Sequence, residues 1–262
     1  MARSNLTARL KTLVAVLTLA LFLAPSAARA EFGTTNFQLL QGWSFKKDAN
    51  DPNSTSDEKL TTVTVNHFHT WAYGDNFFFA DFARGKFGAS TEVGSGVYAE
   101  WHPRLFLNRV FGLGSGSIIR NWGLAGEVNQ SGGFYAYLGG AGLDLAIPGF
   151  QVAGLNLFYR YDNFALHTWQ VSPYWDIPFS LGPVKLVFNG FADFTTNRNG
   201  DLDIMTQPEL LIDVGAFAGA PGKLHAGVEL YLHRFTDFLG KGQTVVAPQL
   251  MVQWTPFTQF VP

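Results

Sequence analysis

Long stretches of this chain alternate apolar and polar residues one for one. Val184, Leu186, Phe188, Ala192 and Phe194 are interleaved with Lys185, Asn189 and Asp193, and Leu224, Ala226, Val228, Leu230 and Leu232 with His225, Glu229, Tyr231 and His233. Successive side chains of a strand point to opposite sides, so a period of two gives one apolar and one polar face. The pattern recurs about a dozen times. It predicts strands over 37–46, 60–72, 77–84, 97–107, 117–128, 135–146, 151–162, 167–177, 183–196, 203–215, 223–234 and 244–254. Tilted strands of about 9–11 residues cross a bilayer, and an even number brings both chain ends to one side. The expected fold is all-β: a transmembrane antiparallel up-and-down barrel of about 12 strands.

Composition separates this reading from a soluble β protein. The 25 Phe, 8 Tyr and 7 Trp make up 15% of the chain, and outer-membrane barrels carry aromatic girdles at both bilayer interfaces. The 28 Gly suit turns and places where the wall must be thin. No cysteine is present, which excludes disulfides and any thiolate metal or nucleophile site. After residue 30 no apolar run is long enough for a membrane helix.

The first thirty residues read as an export signal. Arg3, Arg9 and Lys11 precede an apolar run over 13–24 broken only by Thr18; Pro25 and Ala28-Arg29-Ala30 follow as a cleavage signature. The expectation is a cleaved signal peptide over 1–30 and an outer-membrane barrel over 31–262 in a Gram-negative cell. Without the four basic residues of that segment, 14 Lys and Arg stand against 20 Asp and Glu. That balance offers no basic surface for nucleic acid. With the termini in the periplasm, the loops over 47–59, 85–96, 130–133, 163–166, 197–202 and 235–243 face outward.

Alternation also names the lumen wall. An Arg or Lys facing mid-bilayer lipid costs about 2–4 kcal/mol, so the phase of each strand that collects charge must face inward. That phase contains Phe79 and Asp81; Glu100, His102 and Arg104; Asn156, Phe158, Arg160 and Asp162; Lys185, Asn189, Phe191 and Asp193; Gln207, Glu209 and Asp213; and His225, Glu229 and His233.

Four segments carry a family resemblance: the strand–turn–strand over 61–81 closing on Phe79-Ala80-Asp81-Phe82, the run Tyr98-Ala99-Glu100-Trp101-His102-Pro103-Arg104, the stretch over 155–163 (LNLFYRYDN), and Asn189-Gly190-Phe191-Ala192-Asp193-Phe194. In these the chain resembles the nucleoside-specific channel-forming proteins of the outer membrane, the Tsx-like group. The resemblance implies a twelve-stranded barrel whose narrow lumen passes nucleosides between weak sites. It departs from the family in short outer loops and in a chain that runs past Phe257 to Val261-Pro262.

The Phe-Ala-Asp-Phe tetrad occurs twice, at 79–82 and 191–194, each time with the first Phe and the Asp in the same phase. A ring beside a carboxylate suits a nucleoside: the base stacks and the carboxylate accepts from hydroxyl or amine. Candidate solute-binding residues are Phe79, Asp81, Glu100, His102, Arg104, Phe158, Arg160, Asp162, Phe191, Asp193, Glu209 and Glu229. Expected partners are a small solute such as a nucleoside, outer-membrane lipid and lipopolysaccharide, and the barrel-assembly machinery. No cofactor, metal or catalytic residue is expected. Two alternatives remain: a channel for another small solute, and a lipid-modifying barrel enzyme. For the enzyme, His67-Phe68-His69 puts two imidazoles on one strand face, where a third ligand could complete a metal site. No His-x-Ser run accompanies them.

Overall fold

In the computed structural model, which describes residues 31–45, 58–85, 94–197, 199–236 and 240–260, thirteen strand segments carry most of the chain. They are β1 (Phe32–Phe45), β2 (Glu58–Trp71), β3 (Gly74–Gly85), β4 (Gly94–Phe106), β5 (Ile119–Ser131), β6 (Tyr135–Leu145), β7 (Val152–Asp162), β8 (Leu166–Leu181), β9 (Val184–Thr196), β10 (Leu202–Thr206), β11 (Glu209–Asp213), β12 (Leu224–Thr236) and β13 (Gly242–Phe260). The proposed signal segment over 1–30 and most of the loops over 47–59 and 85–96 lie outside the described residues.

Every neighbour is antiparallel, and β1 pairs with both β2 and β13, so the sheet closes on itself. Closure leaves no edge strand. β10 and β11 each pair with both β9 and β12. They are two halves of one position in a twelve-membered ring, where the sequence reads as one strand over 203–215. Pro208 explains the break, because it has no N–H for the ladder. The chain kinks there towards β9, where Gly190 takes it up. At φ 146° with Gln207 O 2.6 Å from an added Cβ, Gly190 leaves no room for a side chain.

A second departure lies at the β2–β3 hairpin. The strands predicted over 60–72 and 77–84 leave 73–76 as a turn, but the reversal uses only Ala72 and Tyr73, and Gly74 already belongs to β3. A Cβ on Gly74 would sit 2.0 Å from the Arg104 carbonyl oxygen, so glycine lets β3 and β4 close there. At this same end, the terminal end, where β1 begins and β13 finishes, a short helix α1 (Leu107–Val110) follows β4, and a 3-10 turn (Gly215–Ala218) follows β11. Asp213 holds that turn by accepting from the Ala216 and Gly222 amides at 3.0 and 2.9 Å.

The outer face is banded. Leu39, Val63, Leu124, Leu157, Leu210, Val228 and Leu250 are exposed around its middle. Towards the terminal end lie Trp71, Trp122, Trp175 and Trp254. At the far end Tyr135, Tyr137, Tyr159, Tyr161, His167 and Trp169 touch one another across β6–β8. Inside, two small apolar clusters brace the wall: Ala125, Ala136, Leu138 and Phe158, and Leu40, Leu211 and Met251.

Candidate functional site

The inner wall near the terminal end is knotted around Arg104. Its guanidinium makes a two-pronged contact with Asp75 on the neighbouring β3, donates to Asp144 on β6 at 2.7 Å, and reaches Tyr174 on β8. Tyr174 in turn donates to Asp144 at 2.9 Å, and Asn121 does so at 2.7 Å. The span from β4 to β8 is made possible by the wall beneath it. Gly154 has no Cβ, and one placed there would meet the Tyr174 hydroxyl at 2.0 Å. Charge-assisted, two-pronged pairs of this kind are among the stronger hydrogen bonds.

Further along β4, His102 sits between two carboxylates, with Nε2 2.7 Å from Glu100 and Nδ1 3.5 Å from Glu127 on β5. Tyr98 donates to the other oxygen of Glu100. A second thread runs along β7–β9. Arg160 donates to Asp162 at 2.8 Å and to Gln170 at 2.6 Å, Gln170 donates to Ser172 at 2.9 Å, and Ser172 to Asp193 at 2.5 Å.

On the opposite wall, polar residues fall in cross-strand register: Asp176 beside Asn189, Asn189 beside Glu209, Glu209 beside Glu229, and Glu229 beside Gln249. Glu229 accepts from Gln207 at 3.1 Å and Gln249 at 2.5 Å. Asp81 accepts from Thr64 at 2.5 Å. Asp81, Asp193 and Glu229 thus have neutral hydrogen-bonding partners, while Arg104 and Arg160 are already held by carboxylates. Along the described lumen wall the carboxylates named here outnumber the arginines.

Aromatic rings form a ladder inside the barrel. Phe77 lies 5.9 Å from Phe79, Phe79 5.9 Å from Tyr98, Tyr98 stacks on Phe134 at 6.4 Å, and Phe134 stacks on Phe164 at 5.9 Å. The upper rungs are fixed by backbone clamps between two far-end turns. Asp162 accepts from the Phe164 and Ala165 amides at 2.8 and 2.6 Å; Asn163 donates to Gly133 O at 2.8 Å and accepts from the Tyr135 amide at 3.0 Å. The Arg160 guanidinium lies 5.8 Å above Phe134. Phe164 is 64% exposed at the far mouth, and Phe77 at the foot is 5.6 Å from His102.

All twelve residues singled out in the sequence stand in the inward phase of their strands, but they do different work. Phe79, Asp81, Glu100, His102, Asp193, Glu209 and Glu229 gather along the middle of the lumen. Phe191 is inward beside Tyr174. Arg104 belongs to the terminal-end knot, and Arg160 and Asp162 to the far mouth. Phe158 is 1% exposed and packed into the wall, which puts it out of a solute's reach. Glu127, Asp75, Asp144 and Tyr174 were not anticipated, although alternation could have found Glu127, the one charge inside the 121–131 stretch. Phe134 and Phe164 sit in turns, where alternation assigns no direction.

His67 and His69 face outward. They belong to a chain in which Thr35 meets His67 at 2.9 Å, His67 meets His69 at 3.1 Å, His69 meets Asn76 at 3.3 Å, and Trp101 donates to Asn76 at 3.2 Å. All four imidazole nitrogens are engaged, which accounts for the pair without a metal.

No protein-family model matches this chain, and no curated protein does. Among solved structures it is similar to a KdgM porin in complex with disordered oligogalacturonate, at 8% identity and a TM-score of 0.47, over 84% of this chain and 98% of that one. It is also similar to an outer-membrane channel from Pseudomonas putida F1, at 10% identity and a TM-score of 0.42, over 88% of this chain and 98% of that one.

Proposed function

We propose that this protein is an outer-membrane channel for small polar solutes, with nucleosides as the class its lumen suits best. The observation that carries the reading is the aromatic ladder from Phe164 at the far mouth to Phe77, with Asp81, Glu100 and Asp193 placed along the lumen below it. A flat ring stacks on successive rungs at about 1–3 kcal/mol each, and the carboxylates accept from its hydroxyl or amino groups. Sites of that strength fill and empty readily, as conduction requires. The aliphatic outer band between aromatic girdles supports insertion in the outer membrane, among its lipids and lipopolysaccharide, by way of the barrel-assembly machinery.

Liposome swelling tests the reading. Proteoliposomes carrying the wild-type barrel swell in isosmotic nucleoside faster than in a disaccharide. Phe191→Ala and Asp193→Ala slow nucleoside entry without lowering the yield of folded barrel. Equal nucleoside and disaccharide rates, or unchanged nucleoside rates in both variants, would defeat the assignment.

A further inference from the structure

The cluster around His102 has a feature that ion pairing alone does not satisfy. Glu100, His102 and Glu127 each offer a ligand atom, and these atoms lie within 4.8 Å of one another. Asn129 stands directly across from Glu100 on β5, two residues beyond Glu127, so all four side chains point to the same part of the lumen. It is 4% exposed, its amide lies against the Glu127 carboxylate, and its Oδ1 has no hydrogen-bond partner. A buried acceptor left unpaired costs about 1–3 kcal/mol. A positive centre beside the carboxylates would satisfy it.

We propose that Glu100, His102 and Glu127, together with the amide oxygen of Asn129, bind one divalent first-row transition-metal ion inside the barrel. The site stands independently of which solute the lumen conducts. An imidazolium between the two glutamates is the simpler arrangement, but it brings one positive charge to two carboxylates, with Asp193 a third nearby. It also leaves Asn129 Oδ1 unpaired and the His102–Glu127 contact at 3.5 Å, beyond ordinary hydrogen-bond length. A divalent ion balances both glutamates. An ion with ligand bonds of about 2.0–2.2 Å takes one imidazole nitrogen, so one glutamate swings from the other nitrogen to join it; the donor atoms already lie within 4.8 Å of one another. One imidazole with carboxylate and amide oxygens suits zinc, manganese, cobalt or nickel; calcium and magnesium take oxygen donors. The His102 side chain is 21% exposed, so an ion in the lumen reaches it without the wall opening.

The test is calorimetric titration of the folded, detergent-solubilised full barrel with zinc chloride and, separately, magnesium chloride. It is run in a His67→Ala/His69→Ala background so that the outer-face imidazoles cannot contribute. The expected result is one zinc site, at least about tenfold tighter than magnesium and weakened about tenfold or more by Glu127→Gln and by His102→Gln. Zinc-edge X-ray absorption of the loaded parent barrel keeps the proposal testable if a variant fails to fold: a nitrogen donor among oxygen donors is expected. No zinc binding, unchanged affinity in both variants, or a first shell of oxygen alone overturns the site. None of these outcomes bears on nucleoside swelling.

Discussion

Arg104→Met removes the guanidinium that Asp75, Asp144 and Tyr174 share. Asp75 is 4% exposed and Asp144 is partly buried on the same inner wall, so the variant holds two neighbouring carboxylates whose direct ion-pair partner is gone, with only the more distant Arg109 to offset them. Removing one partner of a buried ion pair costs about 3–5 kcal/mol. The guanidinium also lies 5.2 Å above both the Phe106 and Tyr174 rings, contacts of about 0.5–1 kcal/mol each. Urea unfolding of the barrel in phospholipid vesicles should therefore show a loss of about 3–5 kcal/mol. Adding Asp75→Asn and Asp144→Asn to Arg104→Met should recover most of it, because a neutral, well-packed substitute for a buried ion cluster is close to isoenergetic. A single variant within about 1 kcal/mol of wild type, or a triple variant no better than the single, would refute the assignment of Arg104 as a structural latch.

Two further expectations follow from the faces of the wall. Leu157, exposed in the middle of the outer band, should cost about 2–4 kcal/mol as Leu157→Arg in the same unfolding assay; no loss would mean that this face does not meet lipid. The excess of inward carboxylates should make the proposed channel cation-selective, read as the reversal potential under a potassium chloride gradient. Glu209→Gln with Glu229→Gln should move that potential towards zero, and anion selectivity in the wild type would contradict the charge placement.

How much was legible in the sequence depended on the kind of element. Strands written in alternation, such as 184–194 and 224–233, could be oriented residue by residue, because lipid on one side penalises charge and leaves a single permitted phase. Alternation carries no direction where the backbone leaves that geometry. Pro208 splits a strand that alternation reads as continuous. Phe134 and Phe164 lie in turns whose direction is set by the hydrogen bonds of Asp162 and Asn163 rather than by any period. Phase also says that Phe158 points inward, but not that Ala125, Ala136 and Leu138 bury it. Nor does phase reveal partners several strands apart: the meeting of Arg104 on β4 with Tyr174 on β8 depends on barrel curvature and on Gly154, and neither appears as a pattern in either strand.

The proposed route for solutes runs along the aromatic ladder. Single-channel current in a planar bilayer, with a nucleoside added to the side facing the far mouth, tests it most directly. Concentration-dependent interruption of the current by nucleosides and none by a disaccharide is expected, with the apparent affinity falling about 5- to 150-fold in Phe134→Ala, the equivalent of about 1–3 kcal/mol of lost stacking. A barrel that passes no current, or one blocked equally with and without the Phe134 ring, would contradict it.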